Sequence, residues 1–509
     1  MLATIPWAHD LKTITDAYAE LPCVSDAVHE LSFRGLGRKA AALATQLRAA
    51  GVEPGEPVAT CLRNGIPALW TSYGVKLAGA AETGLNPALG LDERRRFVKL
   101  AGVRRVVTSG ADADFFRTLG CAIITIEEVP ERGEPLESFA PVPGEAWGRI
   151  NFTSGTTGRS KAIVTSHARR WLANQLLRAS LAYAPNPGSR ILLMTPFTHG
   201  ASLLAFAFLD RGAAATLLDG VDVAKVEAVL ESGQIDHVFA PPTVLAKLTD
   251  AFDGRRFEGI RTIFCGTAPL TPALYRRARA LFGPVVRVTY GKSEVNNPIA
   301  TLPPGPCDDY YMNEPAGDGF CVGWPGSGVE IELRRDDGTA CGADEVGEVH
   351  LRARHMLNGT IDDEGFHTFD ENDFHATGDL GRFDARGRLH LVGRTADVIK
   401  SGGYKVHPEE IEIALAASAA GGSVSVVALP SEYWGEVIVA VAEAAPADWP
   451  ARARAAVAGL AKYKQPRSYV TLESLPRNAQ GKIPRSRLRA LLLERYRLLD
   501  GAHPSLVER

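Results

Sequence analysis

Short apolar strands alternate with amphipathic helices up to about Thr289, and this alternation leaves few folds open. Glu56-Pro-Val-Ala-Thr-Cys-Leu62 reads as a buried strand, Ile66–Ala80 as a helix and Arg105–Thr108 as a strand. The strand pattern returns at Ile191–Met194, His237–Ala240, Thr262–Phe264 and Val286–Thr289. Such alternation predicts α/β layers with largely parallel sheets. Before it, Leu36, Leu43 and Leu47 share one face of a helix starting near Phe33, with Gly51 as its stop. After about Pro303 the texture changes. Gly and Pro become dense, and Val329–Leu333, Glu348–Leu351 and Arg388–Val392 alternate as antiparallel strands do. From Arg394 a further compact α+β unit is expected. It has a helix Pro408–Ala416, strands Ser423–Leu429 and Val437–Ala442, a helix near Pro450–Leu460 and a basic helix Arg485–Leu499.

Composition narrows the function classes. The 509 residues carry a net charge of -3, with 45% hydrophobic and 23% charged residues. No basic excess points to nucleic acid or an anionic membrane. The seven cysteines include no CxxC pair, which argues for a reducing compartment and against a zinc ribbon or disulfide framework. The N-terminus has no secretory pattern, and the most apolar stretch, Ala201–Leu209, stops at Asp210 and Arg211, far short of a membrane span. The expectation is a cytoplasmic protein with no nucleic-acid or membrane partner.

Five stretches carry chemistry. Thr153-Ser-Gly-Thr-Thr-Gly-Arg-Ser-Lys161 packs two glycines, five hydroxyls and a lysine into one loop. Glycine lets backbone N–H groups turn toward an anion, and the hydroxyls and Lys161 add donors and charge. An ordinary surface turn has a similar composition. A Walker A loop is disfavoured, because Ser160 precedes the lysine and Ala162 follows it. The second stretch, Val288-Thr-Tyr-Gly-Lys-Ser-Glu294, follows a strand, at the end where α/β sheets bind ligands. Its aromatic ring can stack on a base and its carboxylate can hold Mg²⁺, though a plain turn fits equally. The others are Ala376-Thr-Gly-Asp379, read as a loop before Gly381–Phe383, Gly393–Tyr404, and Pro476–Lys482 near the C-terminus.

In order and spacing these five resemble the adenylate-forming superfamily of acyl- and aryl-CoA synthetases, carrier-protein adenylation domains and luciferases. Thr153–Lys161 matches the signature loop, Tyr290–Glu294 the "YGxTE" element, Thr377–Asp379 "TGD", Gly393–Gly403 "GRxxDxIxxxG" and Asn478–Lys482 the terminal lysine turn. The resemblance implies a large N-terminal domain, residues 1–393, of two α/β layered sheets plus an antiparallel β subdomain. A small mobile α+β domain, residues 394–509, would follow it. It implies ATP, Mg²⁺ and CoA as reactants and a small carboxylic acid as substrate.

The roles implied residue by residue are these. Thr153, Ser154, Gly155, Thr156, Thr157, Gly158 and Lys161 would meet the ATP phosphates. Tyr290 would stack on adenine, with Gly266, Thr267 and Ala268 lining the same slot. Ser293, where the family usually has threonine, would contact the α-phosphate, Glu294 would bind Mg²⁺, and Asp379 and Arg394 would hold the ribose. Lys482 would touch both the acid and the α-phosphate, and His199 would stand at the acid pocket, gating the thiol. That pocket would draw on Leu176, His199, Cys265, Thr289, Gly291, Asn296 and Asn297. Its small and polar members favour a small aromatic or functionalised short acid over a long fatty chain, although Asn296 and Asn297 would equally serve to pin their loop. Gly402, Gly403, Trp434, Tyr463 and Arg467 would face CoA. Gln465 departs from the basic residue some such ligases carry. Ala396 departs from the Asp or Lys usual at the pivot between domains, which bears on domain alternation rather than on the reaction class. A stand-alone enzyme loading an acyl carrier protein, a non-catalytic nucleotide-binding module and a homodimer all remain open.

Overall fold

The computed structural model describes residues 2–154, 160–314, 319–416, 418–419, 422–478 and 482–509. The side chains of Thr153, Ser154, Ser160, His199, Asn296 and Asn297 also lie outside the description. The expected α/β architecture is present as two large sheets with helices packed between and around them.

The first sheet has eight strands, ordered Gly365–Thr368, Gly359–Asp362, Ser160–Ser166, Trp147–Ser154, Ala81–Gly84, Pro57–Cys61, Arg105–Thr108 and Ala122–Thr125. Its pairings from Trp147–Ser154 onward are parallel, and those before it are antiparallel. The second sheet has thirteen strands. Pro22–Ser25, Ala214–Leu217, Arg190–Leu193, His237–Phe239, Thr262–Gly266 and Val286–Lys292 form its parallel half. The antiparallel strands expected after Pro303 do not stand apart. Val295–Leu302 pairs with Val286–Lys292, and Phe320–Pro325, Leu389–Arg394, His375–Phe383, Gly347–Ala353 and Val329–Arg334 extend the same sheet.

The helix Phe33–Ala49 is capped by Ser32, whose side chain accepts from the Gly35 N–H, and it buries the predicted Leu36, Leu43 and Leu47. Ile66–Leu77 and Ser202–Leu209 are buried on nearly all sides, in one core with Phe33–Ala49. Among the described residues no helix is long and apolar enough to cross a membrane. All seven cysteines are unpaired and six are buried.

The C-terminal unit is a five-stranded sheet built on Gly435–Glu443 and Val424–Ser431, with helices Pro408–Leu415, Trp449–Ala456 and Arg485–Arg495. The expected helix Arg485–Leu499 ends four residues early. Tyr496 turns to φ -125°, ψ 149°, and Tyr496–Leu499 pairs with Ser505–Glu508 as a hairpin. The Tyr-Arg-Leu-Leu run alternates half-buried and exposed positions, the period of a strand.

A charged cluster lies buried beneath the first sheet. Arg170 pairs with Glu82 and donates to the Gly148 carbonyl at 2.9 Å. Arg149 donates to Thr198 O (2.8 Å) and Ser202 Oγ (3.0 Å). Lys76 is buried with its amine 3.5 Å from the centre of the Phe206 ring. Burial alone would raise the Glu82 carboxyl, but Arg170 and Arg149 overcome it and hold the group down to about 2. Removing one member of such a cluster leaves the rest uncompensated. Glu82→Gln is therefore expected to cost about 3–5 kcal/mol in chemical denaturation at neutral pH. Because the folded pKa is depressed, the gap between wild type and variant should persist above the ordinary carboxylate range and close as pH falls toward about 2. A gap under about 1 kcal/mol at neutral pH would contradict the assignment.

Candidate active site: a carboxylate among three cations

The two strands that flank the signature stretch pair antiparallel. Trp147–Ser154 pairs with Ser160–Ser166 so that Thr153 lies opposite Lys161. Gly155, Thr156, Thr157 and Gly158 lie outside the described residues. On its other edge Ser160–Ser166 pairs with Gly359–Asp362, bringing exposed Lys161 beside Asp362. The Asp362 carboxyl is held below its ordinary value by His367 first, with Lys161 contributing.

Tyr290 lies inside the strand Val286–Lys292 rather than in a loop after it, and Ser293 and Glu294 form the turn into Val295–Leu302. The expected loop at Thr377–Asp379 is also strand, His375–Phe383. There the left-handed Gly378 (φ 72°) and a register shift after Leu380 break the ladder. The two strands bring Tyr290 and Asp379 together: the Tyr290 hydroxyl donates to Asp379 Oδ2 at 2.5 Å. Arg394 Nε donates to Asp379 Oδ1 at 3.0 Å. The Asp379 backbone is fixed in turn, its N–H donating to Thr377 Oγ1 at 3.0 Å while that hydroxyl donates to the Val349 carbonyl at 2.8 Å. Burial, then the Asp379 charge, raises the Tyr290 phenol well above its ordinary value, so it stays a neutral donor.

Lys482 comes to this carboxylate from the C-terminal unit. Its turn is closed by Lys482 N–H to Asn478 Oδ1 (2.9 Å) and Asn478 N–H to the Lys482 carbonyl (2.8 Å). Lys482 keeps accessible surface, yet protein atoms crowd its amine. That crowding lowers its pKa; Arg394 and Lys292 add to the effect and Asp379 opposes it.

Lys292 was not identified from the sequence. Its amine donates to the Thr377 carbonyl at 2.7 Å and to Asp379 Oδ2 at 3.1 Å. The signal was present, since the residue stands between the aromatic and the acidic members of the Tyr290–Glu294 element. The Asp379 carboxylate thus faces the cations Lys292, Arg394 and Lys482, and Glu348, which accepts from the Gly378 N–H at 3.0 Å, stands beside it.

Strand ends shape the rest of the slot. A Cβ at Gly266 would stand 2.4 Å from the Thr289 carbonyl, so only glycine allows this approach. Thr267 follows at φ 70°, a conformation rare outside glycine and common at ligand sites. Ala268 lies on the same turn, before the helix Pro272–Phe282. Cys265 is fully buried and its thiol is pushed up to about 12, which makes it a packing group and not a nucleophile. Thr289 is half-buried and Gly291 exposed. His199 lies in the π-helical turn Phe197–Ala201, anchored by Arg149 on the Thr198 carbonyl and by Asn64 Oδ1 on the Phe197 N–H (2.7 Å). Such turns recur at functional sites. The side chains of His199, Asn296 and Asn297 lie outside the description.

Leu176 packs toward Gly328 and His355, its Cδ1 3.5 Å and His355 Cε1 3.9 Å from where a Gly328 Cβ would be. His355 also escaped the sequence reading. It is fully buried, neither ring nitrogen has a hydrogen-bond partner, and burial lowers it to about 4, so it is neutral.

Mg²⁺ fits the donor set. Among the described residues no group of three His, Cys, Asp or Glu could hold a metal alone. Half-buried Glu294 supplies a single carboxylate, close enough to His375 to oppose the lowering that burial causes there. One carboxylate plus substrate phosphate oxygens is the usual way Mg²⁺ is held.

Gly402, Gly403, Trp434, Tyr463 and Arg467 gather on the C-terminal unit. Tyr463 stacks on Tyr404 at 4.1 Å and 13°, and the Arg467 guanidinium lies 3.6 Å over the Trp434 ring.

Known proteins resemble this chain over most of its length. A 2-succinylbenzoate–CoA ligase of Bacillus licheniformis is 27% identical over 465 residues, spanning 90% of this chain and 95% of its own. The medium/long-chain-fatty-acid–CoA ligase FadD8 of Mycobacterium tuberculosis is 27% identical over 406 residues, covering 77% of this chain and 69% of its own. The solved o-succinylbenzoate CoA synthetase of Bacillus subtilis, in complex with its acyl-adenylate intermediate, superposes with a TM-score of 0.84 at 25% identity, over 96% of this chain and 99% of that one. A family model described as AMP-binding enzyme matches residues 11–360, more than half of the chain, and the chain therefore belongs to the AMP-binding enzyme family.

Proposed function

We propose that the protein is an AMP-forming acid–CoA ligase acting on a small carboxylic acid. In the first half-reaction a carboxylate oxygen attacks the α-phosphorus of ATP, pyrophosphate leaves, and an acyl-AMP forms. In the second, the CoA thiolate attacks the acyl carbonyl and AMP leaves, giving the acyl-CoA. The observation that carries this reading is that the Lys482 turn of the C-terminal unit lies within electrostatic reach of the bonded Asp379–Arg394 pair.

Two anions must approach each other in the first step, so positioning and charge stabilisation supply most of the rate. Lys482 screens the acid from the α-phosphate, and the protein atoms around its amine lower its pKa. Asp379 receives the ribose hydroxyls. Lys292 and Tyr290 already occupy its Oδ2, so the sugar enters by sharing or displacing these donors. Mg²⁺, held by Glu294 and phosphate oxygens, would neutralise charge on the phosphates. The signature loop, Lys161 and Ser293 serve the phosphates, and Tyr290 with Gly266–Ala268 holds the base.

For the acid we favour a small aromatic or functionalised short chain. Thr289 offers a hydroxyl at the strand end, and His355 is a neutral imidazole with unspent hydrogen-bonding capacity next to Leu176. An unsatisfied buried polar group costs about 1–3 kcal/mol, and a polar substituent on the acid would relieve that cost. The second half-reaction needs the C-terminal unit, residues 394–509, to turn about Ala396. That residue lies in the short helical turn Thr395–Asp397, which Thr395 Oγ1 ties to the Gly378 carbonyl at 3.2 Å.

The test is ATP–pyrophosphate exchange over a panel of carboxylic acids, with CoA then added to the best. Exchange followed by acyl-CoA formation is expected. Exchange with acyl transfer only to a carrier protein would replace CoA as the acceptor, and no exchange with any acid would overturn the reading. Lys482→Ala should abolish exchange yet still convert supplied acyl-AMP and CoA to thioester; equal loss of both activities in a folded protein would contradict domain alternation. Asp379→Ala should raise the apparent KM for ATP by about tenfold or more, since ribose contacts persist into the transition state. Lys292→Met should change it by about threefold. A wild-type KM in both variants would remove this carboxylate from the nucleotide site.

A further inference from the structure

The hairpin that replaces the end of the last helix has a defined task in its turn. Tyr496–Leu499 and Ser505–Glu508 pair with Leu498 opposite Leu506, and Tyr496, Leu498 and Leu506 pack on the hydrophobic layer containing Val427 and Leu429. The turn between them reaches the loop Ser431–Trp434. Asp500 Oδ1 accepts from the Ser431 hydroxyl at 2.7 Å, and Asp500 Oδ2 accepts from the N–H groups of Glu432 (2.6 Å) and Tyr433 (3.3 Å). The Ser431 hydroxyl, and then backbone N–H groups, hold the Asp500 carboxyl below its ordinary value. The next residue completes the clamp, the Gly501 carbonyl accepting from Trp434 Nε1 at 2.9 Å. Tyr433 is 61% exposed, whereas Trp434 packs on the same hydrophobic layer and its N–H donates to Ser431 Oγ at 2.9 Å; Asp500 adds the bonds that fix the exposed side of the loop.

Trp434 passes the constraint on. Its backbone carbonyl accepts from the Gly402 N–H at 2.8 Å. Its ring closes over Gly402, where a Cβ would stand 3.1 Å from two indole carbons and φ is +58°. The Arg467 guanidinium carbon lies 3.6 Å from the centre of the ring, so the cation sits on the indole that the loop positions.

We propose that the C-terminal hairpin, through Asp500, is a positioning element for acyl transfer: it sets Trp434, and through Trp434 the Gly402–Gly403 turn and Arg467 that receive CoA. This rests on the acid–CoA ligase reading above. Asp500 is a positioning residue, since its contacts end at the loop. The adenylation lysine is held separately, by Asn478.

The experiment compares wild type, Asp500→Ala and Asp500→Asn in the full chain. Pyrophosphate exchange is measured beside thioester formation from supplied acyl-AMP, with CoA concentration varied. In Asp500→Ala the KM for CoA should rise by about fivefold or more, while exchange stays within about twofold of wild type. Asp500→Asn keeps one acceptor oxygen for Ser431 and should fall between the two. An unchanged KM for CoA in Asp500→Ala overturns the inference while leaving the ligase reading intact. Equal loss of both half-reactions also overturns it, because it marks a merely structural hairpin. A wild type that exchanges pyrophosphate but makes no acyl-CoA overturns the ligase reading itself, and this inference with it.

Discussion

Much of this molecule is arranged around the charge of one aspartate. Asp379 would be costly at a half-closed cleft without partners, and here Tyr290, Lys292 and Arg394 all donate to it while Lys482 adds a cation nearby. These groups come from three separate strands of the thirteen-stranded sheet and, for Lys482, from the C-terminal unit. Their convergence needs the sheet to be continuous across the point where parallel strands give way to antiparallel ones, at the hairpin Val286–Lys292 to Val295–Leu302. The site therefore lies where the ordinary α/β architecture ends, and the antiparallel wing supplies the carboxylate that the parallel half lacks.

The sequence made the architecture legible where periodicity and burial coincide. The helix Phe33–Ala49 buries Leu36, Leu43 and Leu47, and the strands at Arg190–Leu193, Thr262–Gly266 and Val286–Lys292 contain the apolar runs that announced them. It was less legible where backbone pairing decides. Tyr290 and Thr377–Asp379 read as loops because Gly and Thr interrupt them, yet both are strand, with the glycine taken up in a break of the ladder. The basic run after Arg485 read as one helix to Leu499; the hairpin partner at Ser505–Glu508 decides otherwise. Lys292 and His355 escaped because a lone lysine and a lone histidine carry no spacing signal. Their meaning comes from what is, or is not, beside them.

Two kinds of electrostatics coexist in the chain. The Glu82–Arg170–Arg149 cluster is sealed and satisfied, and it holds the first sheet against the turn that bears His199. The Asp379 group instead gathers donors from several elements, Tyr290, Lys292 and Arg394, onto one carboxylate. The C-terminal unit is braced in a third way. Arg485 pairs with Asp397, Glu409 and Glu412, tying the residue after Ala396 to the body that would rotate.

The cysteines have a consequence of their own. A thiol co-substrate brings a chemical hazard, because a thiolate and an oxidised partner readily form mixed disulfides. Exchange demands an accessible sulfur in its ionised form. Cys265, beside the slot, is sealed and pushed up to about 12, and Cys61 and Cys321 are likewise buried with thiols raised to about 12 and about 11. Cys341, only half-buried, is also raised. The fold thus keeps its own sulfurs in the unreactive protonated form, and the incoming thiol would meet the acyl group without competition from the protein.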